Sequence, residues 1–269
     1  MSTVAILGLG ASGTAAARLA LSRGDDVHVS DLETDASTRA RGADLQRLGA
    51  DVELGSHDLA RIAGADLVVV SPGIPPHAPV LRELRARGVR WISEPELAPP
   101  LFQGSLIAVP GPTGQTTPAL LIHHLLRVAG VEAAVGGHVG GGHAPAAAER
   151  AQRDPDADWT NIDLSTHQLA DSETLTPAVG VRTNHAPDHL DRYESLDADW
   201  ADKARMFENA SPESIWVLNG DQPEVEALAG DAPGRRYRFT AGPSEGSAAW
   251  ISAGVLMLDV GNGPQALVG

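Results

Sequence analysis

The feature that most restricts the fold is an alternation that begins near the N-terminus. Short runs rich in Val and Ile, "VAILGLG" (4–10), "DVHVSD" (26–31) and "DLVVVSPG" (66–73), alternate with helical patterns that close on glycine, "TAAARLALSRG" (14–24) and "PVLRELRARG" (79–88). Buried strands separated by amphipathic helices predict βαβ units, and therefore a parallel sheet covered on both faces. The segment "SEPELAPPLFQGS" (93–105) interrupts the rhythm with three prolines, and the expected domain boundary lies there, dividing the chain into residues 1–95 and 96–269. The pattern restarts with a strand in "LIAVPG" (106–111), a helix in "TTPALLIHHLLRVAG" (116–130), and strands in "WTNIDLS" (159–165), "AVGVRTN" (178–184) and "SIWVLNG" (214–220). Beyond residue 230, Gly-rich text with alternating apolar residues, "RRYRFT" and "AAWISAGVLMLDV", predicts antiparallel strands. The expected fold class is α/β: a Rossmann-like parallel-sheet domain, then a phosphate-loop-type α/β domain with added antiparallel strands.

Bulk properties narrow the partners. A length of 269 residues suits two domains, with one as the alternative. The formal charge of −15 opposes long polyanions such as DNA and RNA, while leaving room for a small phosphorylated ligand bound by local amides. The absence of cysteine removes disulfides, thiolate metal sites and a cysteine nucleophile. No apolar run reaches the roughly 20 residues of a membrane span, and the N-terminus shows neither a basic leader nor a cleavage site, so a cytoplasmic, membrane-free protein is expected.

Two glycine-bearing turns carry the chemistry. "GLGASG" sets Gly8, Gly10 and Gly13 between a strand and a helix, the arrangement in which a tight turn, a close ligand approach and close helix packing each need a missing side chain. Asp31 ends the second strand, where such folds contact a ribose; the plainer alternative is a strand–helix turn without ligand. "SPG" places Ser71 and Gly73 at the carboxyl edge of the same sheet, or is an ordinary Pro-Gly turn. The second turn, "VPGPTGQTTP" (109–118), has the form of a loop that cradles phosphate with backbone N–H groups and a helix N-terminus. Gly111, Thr113, Gly114, Thr116 and Thr117 can serve such a loop, but Gln115 stands where a phosphate-neutralising lysine belongs, and Pro112 removes one amide donor. A structural turn remains the competing reading. Pro118, in the first helical turn, removes an N–H that has no helical partner. "TNHAPDHLDRY" (183–193) gathers Asn184, His185, Asp188, His189, Asp191 and Arg192; Pro187 opposes a helical zinc pair at His185 and His189, and a hard magnesium ion fits better. Asp163 lies in an apolar strand and needs a partner or a metal, whereas Lys203 reads by default as a solvent-facing helix lysine.

Taken in order, "GLGASG", "SPGIP", "ISEPEL", "GPTGQTT", "GGHVG", "DLSTHQL", "TNHAPDHLDRY", "DKARMF" and "VLNGDQP" resemble the Mur ligase family, and within it the branch that adds D-glutamate. The resemblance implies an ATP-dependent amide ligase of peptidoglycan precursor synthesis, active as a monomer, in which the carboxylate of UDP-N-acetylmuramoyl-L-alanine becomes an acyl phosphate that the amine of D-glutamate attacks. It implies ATP phosphates on Gly111, Thr113, Gly114, Thr116 and Thr117 with a first Mg2+ at Thr116, a second Mg2+ on Asp163, His189 and Lys203, the last as a carbamate, and catalytic positions at Gln115, Asp163, His189 and Lys203. It further implies nucleotide contacts from Asn184, Arg192 and Asp221, and substrate contacts from Ser12, Asp31, Thr34, Ser71, Gly73, His138 and Gln168.

The chain departs from the family pattern at chemical positions: Gln115 replaces Lys, Asp163 replaces Glu, His138 replaces Asn, Thr166 and His167 replace Ser-Phe, and Pro110 and Pro118 replace Thr. The family's later "HNxxNxxAA" segment and its third domain are expected to be missing from these residues. Two other classes compete with the ligase: a catalytically impaired nucleotide-sugar binding module, and an NAD-dependent oxidoreductase built on "GLGASG" and Asp31. A metallohydrolase using His185 and His189 is more distant.

Overall fold

The computed structural model of the protein describes residues 1–111, 113–137, 144–186, 193 and 195–268. The first unit runs β1 (Thr3–Leu7), α1 (Ala11–Ser22), β2 (Asp26–Asp31), α2 (Ala36–Arg47), β3 (Asp51–Leu54), α3 (Leu59–Ala63), β4 (Leu67–Val70), α4 (Pro79–Ala86) and β5 (Ile92–Ser93). Its strands form a parallel sheet in the order β3-β2-β1-β4-β5. The order reverses between β1 and β4, which opens a crevice at their carboxyl ends, where open α/β sheets take ligands. The apolar residues of β1 and β4 serve both faces: Val4, Ile6 and Val69 pack with α1, while Ala5, Leu7, Val68 and Val70 pack with Ile62, Val80, Leu81 and Leu84. Helix α2 gave no apolar periodicity in the sequence, and it starts where the Asp35 carboxylate accepts from the Ser37 and Thr38 amides.

Two 3₁₀ turns, Glu94–Leu97 and Pro99–Leu101, lead into the second unit, so the expected boundary at 95/96 falls inside the first of them. There follow β6 (Ser105–Pro110), α5 (Thr116–Val128), β7 (Ala133–Gly137), α6 (Ala147–Arg153), β8 (Trp159–Leu164), α7 (Thr166–Ala170), β9 (Val179–Arg182), α8 (Leu196–Ala204), β10 (Ile215–Asn219), α9 (Pro223–Ala229), β11 (Arg235–Thr240), β12 (Ser247–Ser252), β13 (Val255–Leu258) and β14 (Gln265–Val268). The sheet order is β14-β13-β12-β11-β10-β9-β6-β8-β7. Among the described residues, antiparallel pairing is confined to β12-β13 and β13-β14. "RRYRFT" departs from expectation, because β11 runs parallel to both β10 and β12. The reason is α9, a crossover helix begun by Pro223 that the sequence reading did not assign; a strand that follows such a crossover returns parallel.

The units are packed together. Ala146 and Ala148 join the core of the first unit beside α1, and Ser93 donates from its backbone to the Asp171 carbonyl (3.0 Å) and from its hydroxyl to the Gln168 carbonyl (2.7 Å).

Candidate active site

The crevice of the first sheet has a volume of about 880 Å3, and Gly8, Gly10, Ser12, Asp31, Ser71 and Gly73 are among its lining residues. Gly8 has φ +92°, and a side chain there would stand 2.8 Å from the Ser71 Cβ; a side chain on Gly13 would collide with the Gly8 carbonyl. These glycines therefore let β1, α1 and the Ser71 turn converge. Asp31 does more than line the wall: its carboxylate accepts from the Leu9 amide (2.6 Å) and the Glu33 amide (2.8 Å), tying the glycine turn to the end of β2. His57, which sequence reasoning did not single out, also lines the crevice, its Nδ1 sharing a hydrogen bond of 2.8 Å with the Ser30 hydroxyl. Thr34 is not among the lining residues; its carbonyl accepts from Arg39 Nε. A second cleft, of about 530 Å3, lies between the units and shares Ser71 and Pro72 with the crevice, with His167, Asp171 and Asp202 on its far wall. Burial pushes the Asp171 carboxyl up to about 6, against the Trp91 indole N–H that donates to it (3.1 Å).

At the carboxyl end of β6, Gly114 takes φ +72° and the chain enters α5 at Thr116. Among the described residues no side chain caps this helix, so the amides of its first turn remain available to an anion. Asn184 braces the loop by donating to the Thr113 carbonyl (2.8 Å), and the Gln115 side chain lies beside Gly111, its Oε1 3.7 Å from where a Gly111 side chain would begin. Thr117 is exposed in the first turn. The Thr116 hydroxyl donates to Asp163 Oδ2 (2.8 Å). Asp163 is fully buried, its Oδ1 has no partner, and burial pushes its carboxyl up to about 6, a rise that the Thr116 hydrogen bond opposes. A hydroxyl and a buried carboxylate with one orphaned oxygen, at an uncapped helix, fit a single hard divalent cation that also binds phosphate oxygens.

Of the set implied for a second cation, Asp163 and Lys203 are described and His189 lies outside the described residues. Lys203 is buried in α8, and its ammonium donates to Asp199 Oδ2 (2.6 Å) and to the Ala186 carbonyl (2.7 Å), so the default of a solvent-facing lysine is overturned. Beside it lies Arg182, also buried; burial lowers its guanidinium to about 10, against the pull of Asp199. His185, edge-on to Trp200 with centroids 4.7 Å apart, is lowered by burial and by Lys203 and Arg182. Sequence reasoning missed Arg182 and Asp199. An arginine in the otherwise apolar "VGVR" strand and the Asp199–Lys203 i,i+4 spacing were the available signals.

Two other candidates also serve local structure. Gln168 closes a capping box on α7, accepting from the Ser165 amide (3.0 Å), and is buried; the S-x-x-Q spacing announces this. Asp221 is exposed and accepts from the Ala241 amide (2.6 Å), clamping the ends of β10 and β11. His138, His189 and Arg192, with Asp188 and Asp191, lie outside the described residues.

Fold and site together define a two-domain α/β protein with a Rossmann-like crevice and a phosphate-loop-type turn. Residues 2–93 match the family described as Mur ligase MurD-like, N-terminal domain, and residues 109–260 match the Mur ligase middle domain. The chain belongs to the Mur ligase family. It is 34% identical over 253 residues to the UDP-N-acetylmuramoylalanine--D-glutamate ligase of Desulfatibacillum aliphaticivorans, covering 94% of this chain and 55% of that one. Against the ligase of the same name from Pelotomaculum thermopropionicum it is 33% identical over 265 residues, covering 98% and 57%. The chain thus spans about half the length of the curated relatives it matches. A murein peptide ligase from Psychrobacter arcticus superimposes with a TM-score of 0.59 at 17% identity, covering 100% of this chain and 62% of that one. A UDP-N-acetylmuramate:L-alanyl-gamma-D-glutamyl-meso-diaminopimelate ligase from Neisseria meningitides gives 0.61 at 20%, covering 96% and 85%; both likenesses concern the fold. Among the described residues no helix is long and apolar enough to cross a membrane.

Proposed function

We propose that this chain carries the substrate-binding and phosphate-handling parts of an ATP-dependent acid–amino-acid ligase, which joins D-glutamate to UDP-N-acetylmuramoyl-L-alanine through an acyl phosphate. The observation that supports this best is the Thr116–Asp163 pair at the mouth of uncapped α5, with a buried carboxylate oxygen left over. In this reading the amides of residues 113–117 bind ATP phosphates, Asn184 holds the loop shape, and Gln115 offers a neutral donor to the outer phosphates. A divalent ion, when bound at Thr116 and Asp163, supplies the positive charge that phosphoryl transfer needs. The crevice at Ser12, Asp31, Ser71 and Gly73 takes the uridine diphosphate portion, and the cleft beyond Ser71 leads the sugar peptide toward the second unit. The relatives' names carry the substrate assignment; a soluble, monomeric, cytoplasmic protein without nucleic-acid partners is the corresponding expectation.

A second reading, a nucleotide-sugar binder that does not turn over, is favoured by one observation, the uncharged Gln115. Calorimetry with Mg2+ and a non-hydrolysable ATP analogue tests the site, and phosphate release in the presence of both substrates tests turnover. Restoring a charge-assisted contact with Gln115→Lys is expected to tighten nucleotide binding about 10- to 100-fold. Unchanged affinity would remove the phosphate-loop assignment. Binding of the nucleotide sugar without phosphate release, in this chain and in Gln115→Lys, would favour the binding module. A flat NADH fluorescence titration is expected, and a saturable one would revive the oxidoreductase.

A further inference from the structure

The crevice of the first sheet holds a polar group that the proposed binding of a nucleotide leaves unused. His57, on the connection from β3 to α3, shares its Nδ1 with the Ser30 hydroxyl at 2.8 Å, and among the described residues that hydroxyl makes no other hydrogen bond. Ser30 is fully buried on β2, paired with Leu7 of β1, and its carbonyl accepts from the Gly8 amide (2.8 Å). A hydroxyl has one proton to give, and in a space closed to water it gives it to the acceptor within reach, Nδ1. The neutral ring then carries its hydrogen on Nε2. That nitrogen has no protein partner among the described residues, and, unlike both nitrogens of His28, it is not closed off from solvent but open to the crevice. Protonating the ring would set a hydrogen on Nδ1 against the hydroxyl and leave the Ser30 proton without an acceptor. Burial opposes that protonation and lowers the pKa of the ring, helped by His28 of β2 and resisted by Asp31 of β2 and Glu53 of β3.

We propose that His57 reads the base of the nucleotide ligand, presenting Nε2–H as a donor whose tautomer Ser30 fixes, and that it selects a ring bearing a carbonyl oxygen. This rests on the reading of the crevice as the site of a uridine diphosphate. The first turn of α1, with Gly10 at its cap and no side chain on its amides among the described residues, is the anion end of the crevice. His57 follows β3, two strands from β1 in the order β3-β2-β1, and a strand spacing of about 4.8 Å puts it roughly 10 Å from that turn, within reach of a ribose and base. The other polar side chains of the wall do not take this part. Asp31 and Glu33 are carboxylates, which accept, and Asp31 already receives the Leu9 and Glu33 amides. The Ser71 hydroxyl donates to the Gly8 carbonyl (3.2 Å), and Ser12 sits in the first turn of α1, at the anion end. Leu32 and Leu59 line the same crevice and give a flat ring apolar cover. A donor in such surroundings discriminates, because a ring without the matching oxygen leaves it unpaired.

The ring is tested first, without ligand. The chain is labelled with 15N at histidine, and long-range nitrogen–proton correlation spectra at pH 7.5 are compared with those of His57→Phe, whose missing signals identify the residue. A bare Nδ1 and a protonated Nε2 are expected; a hydrogen on Nδ1, or a charged ring, overturns the proposal. UDP and its 2-thio and 4-thio analogues, in which sulfur, a poor acceptor, replaces one carbonyl oxygen, are then titrated by calorimetry. At least one analogue is expected to bind the original chain about 5- to 10-fold more weakly than UDP, and that deficit to vanish in His57→Phe. Three ligands of equal affinity for the original chain, or a deficit that persists in His57→Phe, overturn the proposal; the first of these comparisons needs no variant to fold. Ser30→Ala, a change beneath the crevice wall, is expected to mix the two tautomers of His57 and to weaken UDP binding, and an unchanged affinity refutes the part given to Ser30. If UDP does not bind the original chain at all, the crevice reading falls and base recognition with it, whereas analogues that bind as tightly as UDP refute His57 alone.

Discussion

Glu94 offers a sharp test of how burial sets charge in this fold. It sits in the first 3₁₀ turn at 0% exposure, its Oε1 accepting from the Ala148 amide at 2.5 Å and its Oε2 buried without a partner. Burial pushes its carboxyl from 4.5 up to about 7; the Ala148 hydrogen bond opposes the rise, and the charge of Glu149 adds to it. Because the folded value lies above the unfolded one, the fold binds the extra proton, and this group's contribution is most favourable below about pH 4.5. Stability is lost as pH rises toward about 7 and stays lost above it. At about 1.4 kcal/mol per unit of pKa, the full difference is about 3 kcal/mol. Glu94→Gln keeps an oxygen for the Ala148 amide and carries no charge at any pH. In urea unfolding the variant is expected to match the original chain near pH 4.5 and to exceed it by about 2 to 3 kcal/mol at pH 8.5. Asp163 and Asp171, each pushed up to about 6, tilt both proteins the same way and cancel in the difference. Parallel stability profiles, or a variant weaker at pH 8.5, would refute the reasoning that an unrelieved buried charge lies where the two units join.

The remaining predictions concern backbone geometry. Gly13→Ala should cost at least about 3 kcal/mol in thermal unfolding and abolish ligand binding in the crevice, because the added methyl collides with the Gly8 carbonyl; a normally stable variant would show that α1 can shift away from β1. Ala253, at φ +50° before Gly254 at +80°, forms the two-residue turn between β12 and β13. Ala253→Asn should raise stability by about 1 kcal/mol, since asparagine tolerates the left-handed region that strains alanine. An unchanged urea midpoint would refute the strain assigned to Ala253.

Much of the architecture was legible because it is written locally. The Val and Ile runs became β1, β2, β4, β6, β8, β9 and β10, and the two glycine turns lie at strand–helix junctions, since positive φ and close approach exclude side chains whatever surrounds them. What stayed hidden was polar or short. Helix α2 has too few apolar residues to show a period, and the unassigned α9 hid the parallel direction of β11. At the site, Thr116 and Asp163 were legible as residue types, but their pairing was not, because 47 positions separate them.

From sequence alone, hydrophobic period and glycine spacing determined two parallel-sheet units and the places where each presents a turn to a ligand. Tertiary structure decided the charge at those places. It took Lys203, by default a surface residue, into a closed pocket with Asp199 and Arg182, and it left Asp163 and Glu94 as carboxylates away from water. The physical reason is that a side chain's electrostatics depend on which distant residues exclude solvent from it, and no local pattern encodes that exclusion.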